Sequence, residues 1–192
     1  MTPRYGRVPP ESFEPVYRTD LDPWHVATSH YEIRKRDLVI NVLPDERYRS
    51  CFEPGAGTGV LTARLAERCD RVVSMDGSPS AVASSRRRLG HLPTIDVRTG
   101  AIPEDWPSET FDLIMLAEIG YYFTADSLAD IAVLCEGSLA DHGTIVAVHW
   151  LGSSSDHILH GDEVHTVLRS AFGVAQRSYR ESLFRIDCWE KS

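Results

Sequence analysis

The chain has 192 residues, of which 28 are acidic and 20 basic, giving a formal net charge of −8. This length suits one domain, and a hydrophobic fraction of 42% is typical of a globular protein with a core. The acidic balance argues against a nucleic-acid partner, because phosphate backbones attract basic surfaces. The sequence shows no Cys-x-x-Cys pair, no apolar run near the roughly 20 residues of a membrane span, and no secretion signal. We therefore expect a cytoplasmic protein with reduced thiols.

Residues 1–28 are predicted to form an N-terminal arm. Within it, residues 1–22 are predicted to be irregular because several prolines interrupt any periodicity. The remaining residues, 29–192, are predicted to form the main domain. Hydrophobic periodicity and capping signals predict its helices: 29–43, 60–68, 78–89, 162–172, and one that runs to 139 and is capped by Thr124 or Asp126.

The predicted strands are apolar runs that alternate with those helices. They span residues 50–53, 71–75, 95–98, 111–117, 144–149, 174–179 and 183–189. The 111–117 run is continuously apolar, as expected of a strand buried on both faces. The alternation predicts an α/β fold, a single-domain doubly wound and mostly parallel seven-stranded sheet, in which the last two strands form an antiparallel pair.

A glycine-rich loop follows the first predicted strand and opens the next helix. It reads Glu53-Pro54-Gly55-Ala56-Gly57-Thr58-Gly59, with Gly-x-Gly-x-Gly spacing. The dinucleotide fingerprint is instead Gly-x-Gly-x-x-Gly, with a pyrophosphate at the helix N-terminus. The carboxylate of Glu53 is unfavourable beside a pyrophosphate but favourable beside an ammonium group. S-Adenosylmethionine carries both an amino-acid end and a positive sulfonium, so this loop favours that cofactor.

An acid, Asp76, ends the second predicted strand, 17 residues after Gly59. A carboxylate in this place accepts hydrogen bonds from the ribose hydroxyls of a bound nucleoside. NAD and S-adenosylmethionine both contain an adenosine ribose. Asp76 therefore predicts nucleoside binding without choosing between the two cofactors.

Three successive motifs resemble those of class I S-adenosylmethionine-dependent methyltransferases. They are Glu53–Gly59, Asp76-Gly77-Ser78 and 111–118, and the resemblance covers roughly residues 25–150. More narrowly, four further segments resemble the nodulation protein S family, which methylates the amine of a deacetylated chitooligosaccharide. These segments are 22–25, 68–70, 103–107 and 118–122.

The resemblance implies that the N-terminal arm, residues 1–28, folds over the cofactor as a lid. It also implies a set of residues that bind S-adenosylmethionine. These are Trp24, Arg34, Glu53, Pro54, Gly55, Ala56, Gly57, Gly59, Val60, Asp76, Gly77, Ser78, Ala101, Ile102 and Ala117. Arg34 is predicted to reach the methionine carboxylate. Many relatives have an aspartate in the third loop that binds the adenine amine, whereas this chain has Ala101 and Ile102, so a backbone carbonyl or a water must replace that contact.

The predicted catalytic residues are Glu118, Tyr122 and His25. Glu118 ends a buried strand beside the expected position of the sulfonium and is predicted to orient the acceptor. No metal site is expected. Although His157, His160 and His165 lie near several acids, their spacing matches no zinc motif, and methyl transfer to an amine needs no metal. We expect this segment to be a loop that faces the acceptor.

The leading hypothesis is an enzyme that transfers a methyl group to a small-molecule acceptor, most simply the amine of an amino sugar. One alternative is an O-methyltransferase acting on a sugar or natural product. Two others are an NAD-dependent oxidoreductase, which the glycine spacing and Glu53 disfavour, and a non-catalytic cofactor-binding module. No nucleic-acid or membrane partner is expected.

Overall fold

The computed structural model describes residues 6–191, which form an α/β fold around one seven-stranded sheet. The strand order is β3-β2-β1-β4-β5-β7-β6, and only β7 runs antiparallel to its neighbours. The predicted fold class is therefore confirmed. The strands are β1 (Cys51–Pro54), β2 (Val72–Asp76), β3 (Ile95–Thr99), β4 (Phe111–Ala117), β5 (Leu139–Trp150), β6 (Arg177–Arg180) and β7 (Phe184–Glu190).

Six α-helices are present within residues 6–191, together with two short 3₁₀ turns, Pro10–Phe13 and Gly120–Tyr122. The helices are α1 (Glu14–Thr19), α2 (His30–Val42), α3 (Val60–Leu65), α4 (Pro79–Leu89), α5 (Ala125–Ser138) and α6 (Gly161–Phe172). Thr124 caps α5, because its hydroxyl accepts from the Ser127 N–H. Asp126 lies instead within the first turn of that helix.

The prediction that residues 1–22 are irregular is wrong for most of the described part of this segment. Pro10 and Pro15 each lie in the first turn of a short helical element. Proline is tolerated there because the first backbone N–H groups of a helix have no internal partner. The prolines therefore begin helical turns rather than prevent them. Residues 1–5 of the predicted arm lie outside the described range.

Three predicted boundaries also differ from the structure. The helix predicted over 60–68 ends at Leu65, and the strand predicted over 144–149 runs from Leu139 to Trp150. The extension arises because β5 continues past a register shift, where Leu139 pairs with Phe111. The first strand of the C-terminal pair begins at Arg177 rather than Val174, after an exposed segment that follows Gly173.

The core lies on both faces of the sheet, since successive side chains of each strand point in opposite directions. On β4, Ile114 and Leu116 belong to one buried cluster, and Leu113 and Met115 belong to the other. This explains the uninterrupted apolar run of that strand. No helix within residues 6–191 is long and apolar enough to cross a membrane.

The strand order reverses at β1, which lies between β2 and β4. In a doubly wound sheet, the connections on the two sides of such a point leave in opposite directions, so a crevice opens at the carboxyl ends of the strands. The glycine-rich loop, Asp76 and Glu118 follow or end β1, β2 and β4. The topology thus brings the three sequence motifs to one edge of the sheet.

Candidate functional site

A cavity of about 640 Å³ lies at this edge of the sheet. Its floor is formed by the ends of β1, β2, β4 and β5, and its cover by α2 and the N-terminal arm. The arm and the loop after β5 contribute aromatic side chains to the wall, among them Tyr17, Trp24 and His157. A partly enclosed cavity lined by apolar and aromatic side chains, with some polar groups among them, is typical of a small-molecule site.

The glycine-rich loop has the left-handed backbone that the spacing of its glycines allows. Gly55, Gly57 and Gly59 have φ angles of 68°, 55° and 77°. A Cβ on Gly57 would lie 2.7 Å from the Tyr17 hydroxyl, whereas one on Gly59 would lie 2.5 Å from the Ser85 Oγ on α4. Gly57 therefore allows the arm to approach the loop closely, while Gly59 allows the loop to pack against a helix.

Asp76 is positioned to accept two hydroxyl groups. Its Oδ2 accepts from the Gly57 N–H and its Oδ1 from the Ser78 N–H, each at 2.8 Å. Burial raises the pKa of this carboxyl, and the two backbone hydrogen bonds oppose that rise. Because each carboxylate oxygen has a second lone pair, both oxygens can still accept from a ribose diol.

Glu53 is a buried carboxyl beneath the same loop. It is 2% exposed, and the Thr62 hydroxyl donates to its Oε2 at 2.6 Å. Burial raises its pKa to about 8, with a hydrogen bond from Thr62 acting in the opposite direction. In the absence of a nearby cation, this group is protonated at neutral pH.

Glu118 lies just beyond β4 and holds three donors. Its Oε1 accepts from the Lys35 ammonium, and its Oε2 accepts from the Tyr121 hydroxyl and the Trp150 N–H, each at 2.8 Å. Its φ of 52° is unusual for a residue other than glycine, a strained conformation that surrounding contacts must maintain. Burial and the neighbouring Glu118 raise the pKa of Tyr121, which keeps its hydroxyl protonated as a donor.

Lys35 is a charged residue of this cavity that the sequence analysis missed. It is 5% exposed, and its ammonium also donates to Glu32 Oε1 at 2.9 Å. Burial opposes its charge, but the carboxylates of Glu118 and Glu32 outweigh burial and raise its pKa. Burial likewise raises the pKa of Glu32. The only signal in the sequence was a charged residue on the inward face of α2, which spacing alone does not distinguish from a solvated lysine.

The N-terminal arm is attached to the main domain by an acid that the sequence analysis also missed. Glu14 accepts from the Ser78 hydroxyl at 2.6 Å, and from the N–H and hydroxyl of Ser80 at 3.0 and 2.7 Å. These hydrogen bonds lower the pKa of Glu14. Farther along the arm, the rings of Tyr17 and Trp24 meet edge to face, with centroids 5.5 Å apart.

Most of the predicted site residues line this one cavity. They are Trp24, His25, Glu53, Pro54, Gly55, Ala56, Gly57, Val60, Asp76, Gly77, Ala101, Ile102, Ala117, Glu118 and Tyr122. Gly59 and Ser78 do not line it. Gly59 faces α4, and Ser78 caps that helix while donating to Glu14.

Arg34 is a third predicted binding residue that does not line the cavity. Its guanidinium forms an ion pair with Glu181, and its side chain is 59% exposed. Because successive residues of a helix point about 100° apart, the neighbours Lys35 and Arg36 face the cavity instead. The structure therefore gives no support for a contact between Arg34 and a cofactor carboxylate.

The three histidines of the C-terminal region have separate environments. His157 lines the cavity and stacks on Tyr121, with ring centroids 3.8 Å apart, whereas His160 caps α6 and His165 is buried. Within residues 6–191, no group of His, Cys, Asp and Glu side chains is arranged to hold a metal. The loop 153–157 contributes to the cavity wall, on the side expected for an acceptor.

The family model described as Nodulation protein S (NodS) matches residues 15–150, which is more than half of the chain. The chain belongs to the NodS family. Among curated relatives, it is 33% identical over 102 residues to Nodulation protein S of Bradyrhizobium diazoefficiens, covering 53% of this chain and 49% of that protein. It is 32% identical over 113 residues to the protein of the same name from Rhizobium tropici, covering 58% of this chain and 45% of that protein. The chain thus spans about half the length of the curated relatives it matches.

Solved structures confirm the methyltransferase fold. A Pseudomonas syringae protein solved as a candidate methyltransferase is 36% identical, with a TM-score of 0.76, covering 85% of this chain and all of that one. The N-methyltransferase NodS from Bradyrhizobium japonicum, in complex with S-adenosyl-L-homocysteine, has a TM-score of 0.79 at 20% identity, covering 93% and 97%. The predicted family is therefore confirmed together with the fold.

Removing the Lys35 cation should destabilise the protein in a pH-dependent way. Replacing one partner of a buried ion pair leaves the other charges uncompensated, so Lys35→Met should cost about 3 kcal/mol at pH 8. The pKa of Glu32 should then rise further above its unfolded value. A carboxyl with a raised folded pKa favours the folded state as it binds a proton, so the loss should shrink toward pH 5.5.

Urea unfolding at pH 8 and pH 5.5 measures this effect. The matched control is Arg47→Met, which removes an ion pair with Asp70 whose side chains are 60% and 53% exposed. That change should cost less than about 1 kcal/mol at either pH. Equal losses for the two variants would contradict a structural role for the buried lysine.

Proposed function

We propose that this protein transfers the methyl group of S-adenosylmethionine to the amine nitrogen of a small molecule, most simply an amino sugar or a chitooligosaccharide-like compound. The observation that carries the proposal is the arrangement of the cavity. Groups suited to a nucleoside and an ammonium lie at the ends of β1 and β2, and the Glu118 carboxylate lies beside them at the end of β4.

The cofactor half of the cavity fits S-adenosylmethionine. Asp76 offers two acceptor oxygens for the ribose hydroxyls, the Gly55–Gly59 backbone leaves room for the methionine part, and Glu53 suits the ammonium group. Ala101 and Ile102 line the cavity as apolar contacts for the adenine. The carboxylate of the nearby Asp105 already accepts a hydrogen bond from the Ala101 N–H, at 2.8 Å. Two structural neighbours, NodS and DhpI, were solved with S-adenosylhomocysteine, which supports this cofactor.

The acceptor half of the cavity fits an amine attached to a ring. Tyr31, Tyr121, Tyr122 and Trp150 supply aromatic surface, which packs well against the apolar faces of sugars. The cluster of Glu32, Lys35 and Glu118 has two carboxylates and one ammonium, a net charge of −1. This charge favours the positive charge that develops on a methylated nitrogen.

The proposed reaction needs positioning more than acid–base catalysis. Bound S-adenosylmethionine supplies a methyl group on a positively charged sulfur; the nitrogen lone pair forms the new N–CH₃ bond as the S–CH₃ bond breaks. Holding the reactants at attack distance can lower a barrier by roughly 7–11 kcal/mol. We propose that Glu118 orients the amine, and that Tyr122 and His25 line its path. The free lone pair of Glu118 Oε1 can accept an amine N–H, and the surplus proton leaves after transfer.

From the raised pKa of Glu53, we predict that cofactor binding releases a proton. With a pKa of about 8, this carboxyl is protonated at pH 7, and a cationic ligand favours its ionised form. Affinity for S-adenosylmethionine should therefore fall as the pH is lowered from 8 to 6, by up to about tenfold per unit. Calorimetry in buffers of different ionisation enthalpy should detect the proton. Glu53→Gln should bind more weakly and release none.

The same calorimetric titration, repeated with NAD as the ligand, separates this proposal from an oxidoreductase. Binding of NAD in place of S-adenosylmethionine and S-adenosylhomocysteine would overturn it. Proton release of equal size in the Glu53→Gln variant would contradict the role of Glu53 alone.

The acceptor class is tested by a methylation screen read by mass. Deacetylated chitooligosaccharides should gain a methyl group, whereas their fully N-acetylated forms should not, because an amide nitrogen has no available lone pair. In the same assay, Glu118→Gln should lower kcat roughly 100-fold with little change in S-adenosylhomocysteine affinity, since it alters the group facing the acceptor. Glu136→Gln, on the exposed face of α5, is the control and should keep full turnover.

His157 is the observation that favours O-methylation as a second candidate. It lines the cavity, and burial lowers its pKa, so at neutral pH its imidazole is unprotonated and can act as a base. A hydroxyl acceptor requires such a base, whereas a neutral amine does not. Methylation of hydroxyl compounds but of no amine in the screen would establish this alternative.

We further propose that residues 1–28 act as a lid over the bound cofactor. The contacts of Glu14 with α4 and the position of Tyr17 above Gly57 support this role. Hydrogen exchange at residues 10–19 should slow when S-adenosylhomocysteine binds. Glu14→Ala should raise the basal exchange there, because it removes three hydrogen bonds. Exchange that is unchanged by ligand would contradict the lid.

A further inference from the structure

A chain of buried polar side chains lies behind the cavity, outside the residues assigned above. His149 on β5, His165 on α6 and Asp187 on β7 are each no more than 1% exposed. The Gly120 N–H donates to His149 Nε2 at 3.0 Å, His149 Nδ1 lies 3.3 Å from His165 Nε2, and His165 Nδ1 lies 2.8 Å from Asp187 Oδ2. Buried polar groups in a continuous chain fix one another's orientation.

The chain has only one consistent arrangement of protons. The backbone N–H of Gly120 can only donate, so Nε2 of His149 must present its lone pair. A neutral His149 then carries its proton on Nδ1 and donates to Nε2 of His165. His165 in turn carries its proton on Nδ1 and donates to Asp187. An extra proton on Nε2 of His165 would face the Nδ1–H of His149, so both rings are neutral Nδ1–H tautomers.

The surroundings of the two rings agree with this arrangement. Burial, followed by the neighbouring His165, lowers the pKa of His149 far below its ordinary value. Burial acts to raise the pKa of Asp187, but hydrogen bonds from His165 and Ser178 lower it overall. Arg185 Nη2 lies 2.8 Å from Asp187 Oδ2, so this carboxylate is anionic and anchors the far end.

Gly120, at the other end, belongs to the turn that organises the cavity. A Cβ there would lie 2.5 Å from Val164 Cγ1 and 2.9 Å from His149 Nε2, so the turn is held tightly between α6 and β5. In the next residue, the Tyr121 hydroxyl donates to Glu118. The Tyr121 carbonyl accepts from the N–H groups of Ile158 and Leu159 at 2.8 and 3.1 Å. The Tyr122 carbonyl accepts from the Val8 N–H at 2.8 Å.

We propose that His149, oriented by His165 and Asp187, is a positioning residue for methyl transfer. It fixes the Gly120 N–H and thereby the turn that carries Tyr121 and holds Glu118. The effect on turnover rests on the proposed function, whereas the proton arrangement does not. A misplacement of about 1 Å at reacting groups costs roughly 100-fold in rate, so a small movement of this turn is enough to matter.

Two substitutions of His149 separate the contacts of its two nitrogens. His149→Gln places an amide oxygen near the original Nε2, so it keeps an acceptor for Gly120. His149→Asn places its amide near the original Nδ1, so it keeps the contact with His165 but loses Gly120. We expect kcat within about threefold of wild type for the glutamine variant and a roughly 100-fold loss for the asparagine variant. Both should keep KM for S-adenosylmethionine and affinity for S-adenosylhomocysteine. Equal kcat losses in the two variants would contradict the proposal.

Nitrogen-15 NMR of the wild-type protein tests the proton arrangement without turnover or substitution. His149 and His165 should both appear as neutral Nδ1–H tautomers at pH 7, the less common form in free histidine. An Nε2–H tautomer at His149 would overturn the proposal even if the enzyme is active. The proposed reaction and the positioning of the turn can fail separately. If no acceptor is methylated, the proposed reaction fails. The positioning of the turn still stands if both rings are Nδ1–H tautomers and the Gly120 amide resonance shifts only in the His149→Asn variant.

Discussion

The carboxylate of Glu118 joins three parts of the chain that are distant in sequence. Lys35 reaches it from α2, Tyr121 from the turn that follows β4, and the Trp150 N–H from the end of β5. Without these donors, a carboxylate in this partly enclosed position would lack compensation for its lost hydration. The left-handed backbone at Glu118 is maintained by the same contacts, so the acceptor side of the cavity depends on this one group.

The two halves of the cavity are held by different physical means. On the cofactor side, backbone N–H groups of Gly57 and Ser78 orient Asp76, and the absence of side chains on the glycines provides space. These features are local to two loops. On the acceptor side, ionised and aromatic side chains from separate elements support one another.

The arm and the buried histidine chain each hold a short turn at the edge of the cavity. Glu14 ties α1 to the start of α4, beside the loop that contains Asp76. His149 holds Gly120 from within the core. Both contacts act on short turns that follow strands of the sheet, where a shift of the backbone moves a site residue directly. The regular strands themselves need no such support, because their ladders already fix them.

Local periodicity and adjacent residues are enough to predict the fold, the glycine-rich loop and the end of β4. Gly55, Gly57, Asp76 and Glu118 were found in this way. The packing of α2 was needed to show that Lys35 rather than Arg34 faces the cavity. Neighbours on a helix are separated by a rotation of about 100° per residue, and the docking angle of the helix is not a local property. Likewise, the pairs Glu14–Ser78 and His149–His165 join residues 64 and 16 positions apart. Such contacts arise from packing of distant elements, for which no spacing in the sequence provides a signal.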